Sequence, residues 1–352
     1  MTTAVHMVVP AGVNDLTRPS GGNTYDRRVC RGLAASGWNV HVHEVPGPWP
    51  WPDAPSYTAL ADALSRIPDR APVLVDGLVA SPAPEVLVPE ARRLRLIALV
   101  HMPLGEGTAD GGVREREGAV LSAAASVVTT SAWARQTLLR LYSLPSDRVQ
   151  VAEPGVDAAG LAPGTATAGA FLSVAAVIPG KGHDLLLDAL AMLKGLVWQC
   201  RCVGSIERDP VFVERLRRRV TAGGMGARVF FSGAQAGVEL ADSYSAADLL
   251  VLPSRAESYG MVVTEALARG LPVVAADVGG LREALGHGAD GVRPGLLVPA
   301  GDAVALGDAL RAWLEDAALR RRLRLAARER RKSLADWSTT TSAVADVLGE
   351  IA

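Results

Sequence analysis

The chain alternates short, continuous apolar runs with stretches whose apolar residues recur at three- and four-residue spacing. Runs of strand length lie at Val5–Val9, Val40–His43, Pro72–Val75, Leu94–His101, Ser126–Thr130 and Val149–Ala152. Between them, helical patterns fall near Asn23–Ser36, Tyr57–Arg66, Pro84–Arg93, Val113–Ala125 and Ala132–Tyr142. The alternation restarts at Ala170–Val174 and continues with strands near Val197–Val203, Arg228–Ser232, Leu249–Leu252, Pro272–Ala275 and Leu296–Val298. Its helices fall near Asp184–Leu193, Pro210–Ala222, Val238–Ala246, Val262–Arg269, Leu281–Leu285 and Ala303–Leu314. This order predicts an α/β protein with parallel sheets. Residues 158–169 are small and turn-rich, and break the alternation. The expected organisation is a first domain at 1–157, a linker at 158–169, a second domain at 170–335 and a separate helix at 336–352.

Composition narrows the class. The 352 residues suffice for two domains, and 49% hydrophobic against 21% charged residues describes a folded chain. A net charge of −1 gives no general attraction to nucleic acid. No apolar run is long enough to span a membrane, and the opening MTTAVHMVVP reads as a strand, not a signal peptide. Cys30, Cys200 and Cys202 are expected to be reduced thiols of a cytoplasmic protein, the last two pointing to opposite sheet faces. Only Lys181, Lys194 and Lys332 are lysines, against 33 arginines, so a loop lysine stands out.

The most informative segment is Pro253-Ser254-Arg255-Ala256-Glu257-Ser258-Tyr259-Gly260-Met261-Val262-Val263-Thr264-Glu265. It joins an apolar strand to a helix that stops at Gly270-Leu271-Pro272. Glu257 falls on the loop and Glu265 about one turn inside the helix. The first helical N–H groups between them suit a diphosphate, and ionised carboxylates suit hydroxyls. A ligand with sugar hydroxyls on both sides of a diphosphate is a nucleotide sugar. The competing reading makes Ser254 and Glu257 a capping box and Glu265 a solvated residue. The helix itself predicts a core stripe of Val262, Val263, Ala266 and Leu267, with Met261 and Glu265 on another face.

Other positions carry weaker signals. Gly21 and Gly22 lie between the first strand and a helix, where a backbone can approach a ligand. Lys181 sits in the loop Val177-Ile178-Pro179-Gly180-Lys181-Gly182-His183-Asp184, suited to neutralising phosphate or simply exposed in a Gly turn. His101 ends a strand, where ligands bind in open α/β sheets, though a bond to a loop carbonyl explains it equally. Trp49 and Trp51, in a Pro-rich loop, could line an acceptor cleft or pack on their own domain. The basic stretch from Arg320 to Lys332 is a solvated face, with peripheral membrane contact as the minority reading. There is no Asp-x-Asp and no Cys/His set with metal spacing.

Together these segments resemble the Glu-x7-Glu, Gly-Gly and Pro-x-Lys-Gly motifs of retaining glycosyltransferases of the family-four, or group 1, type. The resemblance implies the GT-B fold, two Rossmann-like doubly wound parallel-sheet domains facing across a cleft, with the last helix returning to the first domain. It implies transfer of a sugar from a UDP- or GDP-linked donor to an acceptor hydroxyl, with no metal and no other cofactor. Its partners would be a nucleotide sugar and a small-molecule, glycan or lipid acceptor. By the resemblance His101, Lys181 and Glu257 would be catalytic. Gly21, Gly22, Lys181, Glu257, Tyr259, Gly260, Met261, Val262 and Glu265 would bind donor. Asn23, Tyr25, Trp49 and Trp51 are acceptor-side candidates. The family's usual Gly-Arg before the lysine loop is here Ala175-Ala176, with Arg255 as a stand-in cation. A nucleotide-sugar-binding protein without turnover, or an epimerase or hydrolase of nucleotide sugars, would share these motifs.

Overall fold

The computed structural model describes residues 4–15, 19–289 and 291–351. It divides into two units. The first takes in the opening strand, Ser20–Gly155 and the chain from Ala335 onward; the second takes in Val156–Leu334. The expected domain limits at residues 1 and 352 lie outside the described residues.

In the first unit the strands are β1 (Ala4–Pro10), β2 (Asn39–Val45), β3 (Pro72–Asp76), β4 (Arg95–Val100), β5 (Ser126–Thr129) and β6 (Val149–Val151). They pair in the order β2-β1-β3-β4-β5-β6, all parallel. The helices are α1 (Gly21–Ala35), α2 (Ala54–Ser65), α3 (Gly77–Ala80), α4 (Pro84–Glu90), α5 (Gly111–Ala123) and α6 (Ala132–Tyr142). Strand β3 is buried along its whole length, as a strand covered on both faces must be, whereas edge strand β2 is mostly exposed. Helix α3 is too short to show a helical period in the sequence. It forms because Asp76 Oδ1 accepts from Leu78 N at 2.6 Å.

The second unit carries β7 (Ala170–Val174), β8 (Gln199–Val203), β9 (Val229–Phe231), β10 (Leu249–Leu252), β11 (Val273–Ala276) and β12 (Gly295–Val298). These pair in the order β12-β11-β10-β7-β8-β9, again all parallel. Its helices are α7 (His183–Ala191), α8 (Pro210–Ala222), α9 (Gly237–Ser245), α10 (Met261–Ala268), α11 (Leu281–Leu285), α12 (Ala303–Glu315) and α13 (Ala317–Arg331). Cys200 and Cys202 do not point to opposite faces. Both are buried in one apolar cluster with Arg201 exposed between them, because residues two apart in a strand share a face. Residues 158–169 are tied to this unit. Asp248 accepts from Thr165 N at 2.7 Å and Thr165 Oγ1 at 2.6 Å, and fully buried Trp313 donates Nε1–H to Ala168 O at 2.8 Å.

The final helix, α14 (Trp337–Ile351), packs in the first unit, where Val344, Val347 and Leu348 join Val29 and Leu33 of α1. The approach needs a glycine, since a Cβ on Gly32 would lie 2.1 Å from Thr341 Oγ1. No helix among the described residues is long and apolar enough to cross a membrane.

Each sheet has one point where the strand order reverses. In the first unit this lies between β1 and β3, in the second between β7 and β10. Loops leaving the carboxyl ends of these strands diverge and leave a crevice for a ligand.

Candidate active site

In the second unit the reversal point brings together the loops after β7 and β10. Gly182 has φ +69°, and a Cβ there would lie 2.0 Å from Pro253 O, so the two backbones touch. Arg255 fastens the contact. Its N–H donates to Gly180 O at 2.8 Å, and Nη1 donates to Pro179 O at 2.6 Å. The guanidinium also binds both Asp184 oxygens at 2.8 Å. Burial works against the Asp184 carboxylate, yet Arg255 holds its pKa below the usual range. Arg255 is therefore tied to the scaffold through Asp184 and the loop carbonyls.

This junction sets Lys181 Nζ 2.6 Å from Glu257 Oε2, with Ser254 Oγ donating to the same oxygen at 3.3 Å. The capping-box alternative fails, because α10 begins only at Met261 and its N-cap is Gly260, with no side-chain cap. Gly260 has φ +96°, and the amides of Met261 and Val262 follow it in the first turn, where intrahelical bonding has not begun.

The loop 257–260 is pressed against a second glycine pair that the sequence reading overlooked. Gly280 N–H donates to Glu257 O at 3.1 Å. A Cβ on Gly279 would lie 1.6 Å from that same oxygen, and one on Gly280 2.2 Å from Ser258 O. A Gly-Gly pair just after a predicted strand was the available signal. Tyr259 is buried in the apolar cluster with Leu281, so its ring belongs to the core. Glu265 lies one turn into α10 and accepts from Tyr244 OH at 2.7 Å. Burial, followed by the charge of Glu265, pushes that phenol's pKa well up, which keeps it a donor. On α10 the buried side chains include Val263, Thr264, Ala266 and Leu267, while Val262 is half-buried beside Met261 and Glu265.

The first unit builds a separate polar cluster at its own reversal point. Ser20 Oγ accepts from Asn23 N at 3.0 Å and starts α1. Gly22 then passes over the His101 ring, where a Cβ would lie 3.3 Å from Cδ2. His101 Nε2 is turned inward, 2.8 Å from Asp26 Oδ1 and 3.5 Å from Asp76 Oδ2. Burial opposes charge on His101, but Asp26 and Asp76 outweigh it and hold its pKa up at about 10. Burial lifts Asp26 to about 7, against the pull of His101. Burial also opposes the Asp76 carboxylate, yet its bonds to His101 and Asp26 and from Leu78 N keep its pKa low. Sequence reasoning missed both aspartates. Asp76 ends a strand beside the strand that His101 follows, and Asp26 lies four residues after Gly22 on α1.

The acceptor-side candidates fare unequally. Tyr25 is buried, donates OH to Ala152 O at 2.9 Å and sets its ring edge-on to His101 at 5.1 Å, so it supports the histidine instead of meeting a ligand. Trp49 donates to Val45 O at 3.1 Å and packs on Tyr57, while Trp51 is 69% exposed. Buried Glu117, also missed, accepts from Ser81 Oγ, Leu104 N, Gly105 N and Tyr142 OH and fixes the loop that follows His101.

These features can be set beside known proteins. Residues 166–330 match the family model of glycosyl transferases group 1. D-inositol 3-phosphate glycosyltransferase 1 of Catenulispora acidiphila is 34% identical over 265 residues, covering 69% of this chain and 62% of that protein. The D-inositol 3-phosphate glycosyltransferase of Kineococcus radiotolerans is 36% identical over 255 residues, covering 65% and 58%. The chain thus spans less than two thirds of the length of these curated relatives. The sucrose-phosphate synthase structure from Thermosynechococcus elongatus gives a TM-score of 0.80 at 23% identity over 99% of both chains. Anabaena HepE in complex with UDP-glucose gives 0.77 at 19% identity, also over 99% of both. At such identities the likeness speaks for the fold, two Rossmann-like units of the GT-B kind. Residues 166–330, which carry the Lys181 and Glu257 loops, are a domain of the glycosyl transferases group 1 family.

Proposed function

We propose that the protein moves a glycosyl group from a nucleoside-diphosphate sugar to an acceptor hydroxyl, with retention at the anomeric carbon and without a metal ion. The observation that carries this reading is the junction at the β7/β10 reversal point. It places an ammonium, a carboxylate and a helix N-terminus side by side, with a second carboxylate one turn further on. The ammonium and the helix end suit the diphosphate, Glu257 suits sugar hydroxyls and Glu265 suits the ribose. In the reaction the bond between the anomeric carbon and the phosphate oxygen breaks. The acceptor oxygen bonds to that carbon on the same face, and its proton passes to the leaving diphosphate. Lys181 and the α10 amides stabilise the charge that grows on the leaving group, which is the service a metal renders elsewhere. We assign the protein to the cytoplasm.

The acceptor class to test first is a phosphorylated cyclic polyol, by analogy with the names of the curated relatives. A second reading, binding without turnover, draws on one observation: Arg255 is committed to Asp184, which leaves Lys181 to meet the diphosphate alone in these two loops. Incubation with UDP- and GDP-sugars and an inositol phosphate, in the presence of a chelator, distinguishes the two. The expected outcome is release of nucleoside diphosphate and a glycoside whose anomeric coupling matches the donor. Inverted product, or loss of turnover with chelator, overturns the mechanism. Tight donor binding with no product establishes the second reading.

A further inference from the structure

The register of β1 against β2 gathers three histidines that are separated in the chain. His6 on β1 is paired with His41 on β2, and His43 stands two residues further along the same face. The next residues on that face, Val8 and Val45, enter the apolar cluster with Leu60 and Leu64 of α2. The trio therefore sits where this cluster gives way to the exposed edge strand. His6 is only 9% exposed, His43 is half-buried and His41 is exposed. The rings of His41 and His43 are stacked on that of His6, with centroids 4.8 and 5.2 Å from its own. Two ring nitrogens face each other: His6 Nδ1 lies 2.9 Å from His43 Nε2, so one carries a hydrogen and the other accepts it. The remaining nitrogens of these two rings have no hydrogen-bond partner among the described residues. The donating ring can therefore move its hydrogen to its other nitrogen and turn a second lone pair toward the first. Two nitrogens bound to one tetrahedral zinc ion at about 2.0–2.1 Å are themselves about 3.3 Å apart, so the pair needs to open only slightly. Glu44 lies on the opposite face, where it accepts from Gly12 N at 2.9 Å, so the donor set is all imidazole. Arg66, at the end of α2, acts on His43 as a like charge and opposes a cation, but it is exposed and has room to turn into water.

We propose that His6, His41 and His43 form a binding site for a divalent late transition-metal ion, zinc above all, which staples the edge strand β2 to β1. His6 Nδ1 and His43 Nε2 supply two ligands almost where they stand. Exposed His41 supplies the third by turning about its side-chain bonds, and water completes the tetrahedron. Three imidazoles select zinc, nickel or copper over magnesium and calcium, which take oxygen ligands. The ion is a structural one. Neither Lys181 nor Glu257 belongs to the set, and without the ion the bond between His6 and His43 remains. The inference is independent of the glycosyl-transfer reading and leaves that reaction free of metal. The rival cation site in this unit is the cluster of Asp26, Asp76 and His101, whose ligand atoms lie within 4.8 Å of one another.

The test is titration of chelator-stripped, full-length protein with Zn2+ alone, read by competition with a chromogenic chelator and by X-ray absorption at the zinc edge. The expected result is one ion per chain, with a nitrogen shell at about 2.0–2.1 Å and the scattering pattern of imidazole. Excess Mg2+ should not displace it. His41→Gln and His43→Gln should each weaken Zn2+ by at least about tenfold, since loss of a residue that merely supports a ligand already costs that much. His41 is exposed, so its variant should fold like the parent by circular dichroism. Zn2+ should raise the melting temperature of the parent and leave that of His41→Gln unchanged, because an ion held only by the folded chain stabilises it. His101→Gln, which breaks the rival cluster, should bind Zn2+ like the parent. No saturable binding, full affinity in either β2 variant, a parent melting temperature indifferent to Zn2+, or loss of binding in His101→Gln overturns the proposal. None of these measurements uses a sugar donor, so their failure is separate from any failure of the transferase reading.

Discussion

Lys181 and Glu257 neutralise each other across 2.6 Å. Each is therefore already occupied by the other when a donor arrives. The pair is only partly exposed, at 27% and 15% for the two side chains, so it resembles neither a surface salt bridge nor a buried one. A nucleotide sugar can replace both partners at once, offering phosphate oxygens to the ammonium and hydroxyls to the carboxylate. A bare nucleoside diphosphate replaces only one.

Glu257→Gln should therefore separate the two ligands. Releasing Lys181 should tighten the free nucleoside diphosphate by about 0.2–1 kcal/mol, the scale of such a pair. Turnover should drop by roughly 1.5–3 kcal/mol of lost charge-assisted bonding to the sugar. Calorimetry with both ligands checks this. If the variant binds the diphosphate more weakly than the parent, Glu257 is not restraining Lys181.

Glu265 offers a control that Tyr244 makes possible. Glu265→Ala removes the nearer acceptor of the buried Tyr244 phenol and leaves only Val262 O at 3.4 Å, at a cost of about 0.5–1.5 kcal/mol in stability. Glu265→Gln retains an acceptor for that phenol and should melt near the parent temperature. Both should weaken nucleoside diphosphate and nucleotide sugar alike. A glutamine variant with full affinity would return Glu265 to a structural role.

The glycines of the Lys181 loop should differ sharply. Gly182→Ala places a methyl 2.0 Å from Pro253 O at φ +69° and should destabilise the second unit by at least about 1–3 kcal/mol. Its effect on diphosphate binding should be larger still, since it separates the two loops. Gly180→Ala, two residues away, meets nothing within 4 Å and should melt like the parent. Thermal melts and diphosphate titrations of the two variants, run side by side, decide the point; indistinguishable behaviour would mean that the loop contact is slack.

Acid should weaken the fold through His183. This residue is wholly buried, neither ring nitrogen has a hydrogen-bond partner among the described residues, and burial lowers its pKa to about 4. The unfolded chain binds the proton at the ordinary value of 6.5, so stability is full above that pH and declines as pH falls toward 4. The loss attributable to this group is up to roughly 3 kcal/mol. His183→Leu should flatten urea midpoints measured between pH 7 and 4. His6 adds a slope of the same sign in the first unit, since burial and then His43 and His41 bring it to about 4. A variant whose acid slope matches the parent would show that His183 is not the group responsible.

How much of this was legible follows from the range of the forces involved. Buried strands announce themselves as apolar runs, and Leu249–Leu252 is found where its run lies. Glu257, Glu265 and Lys181 were visible because loop chemistry is local in sequence. Asp26 was not, because a carboxylate on a helix looks solvated until its partner is known, and that partner lies 75 residues away. The same blindness made Arg255 look like a spare cation, since Asp184 is 71 residues distant. Ser254 reads as a possible cap in the sequence because the loop's length before α10 is set by the glycine contacts at 279 and 280 and not by any residue inside it.

The burial of Trp313 has a practical side. Both tryptophans of the second unit, Trp198 and Trp313, are shielded from water, and each lies under an arginine, Arg228 at 3.7 Å and Arg324 at 5.6 Å. In the first unit Trp51 is already solvated, while Trp38, Trp49, Trp133 and Trp337 are half-buried. Unfolding the second unit moves its indoles from a dry, cation-capped setting into water, so their fluorescence should shift to longer wavelength. With Trp38, Trp49, Trp133 and Trp337 replaced by Phe, the two remaining dry indoles become an optical reporter of the donor-loop unit. A melt followed by emission wavelength, set against one followed by circular dichroism, reveals whether the chain unfolds in one step or two.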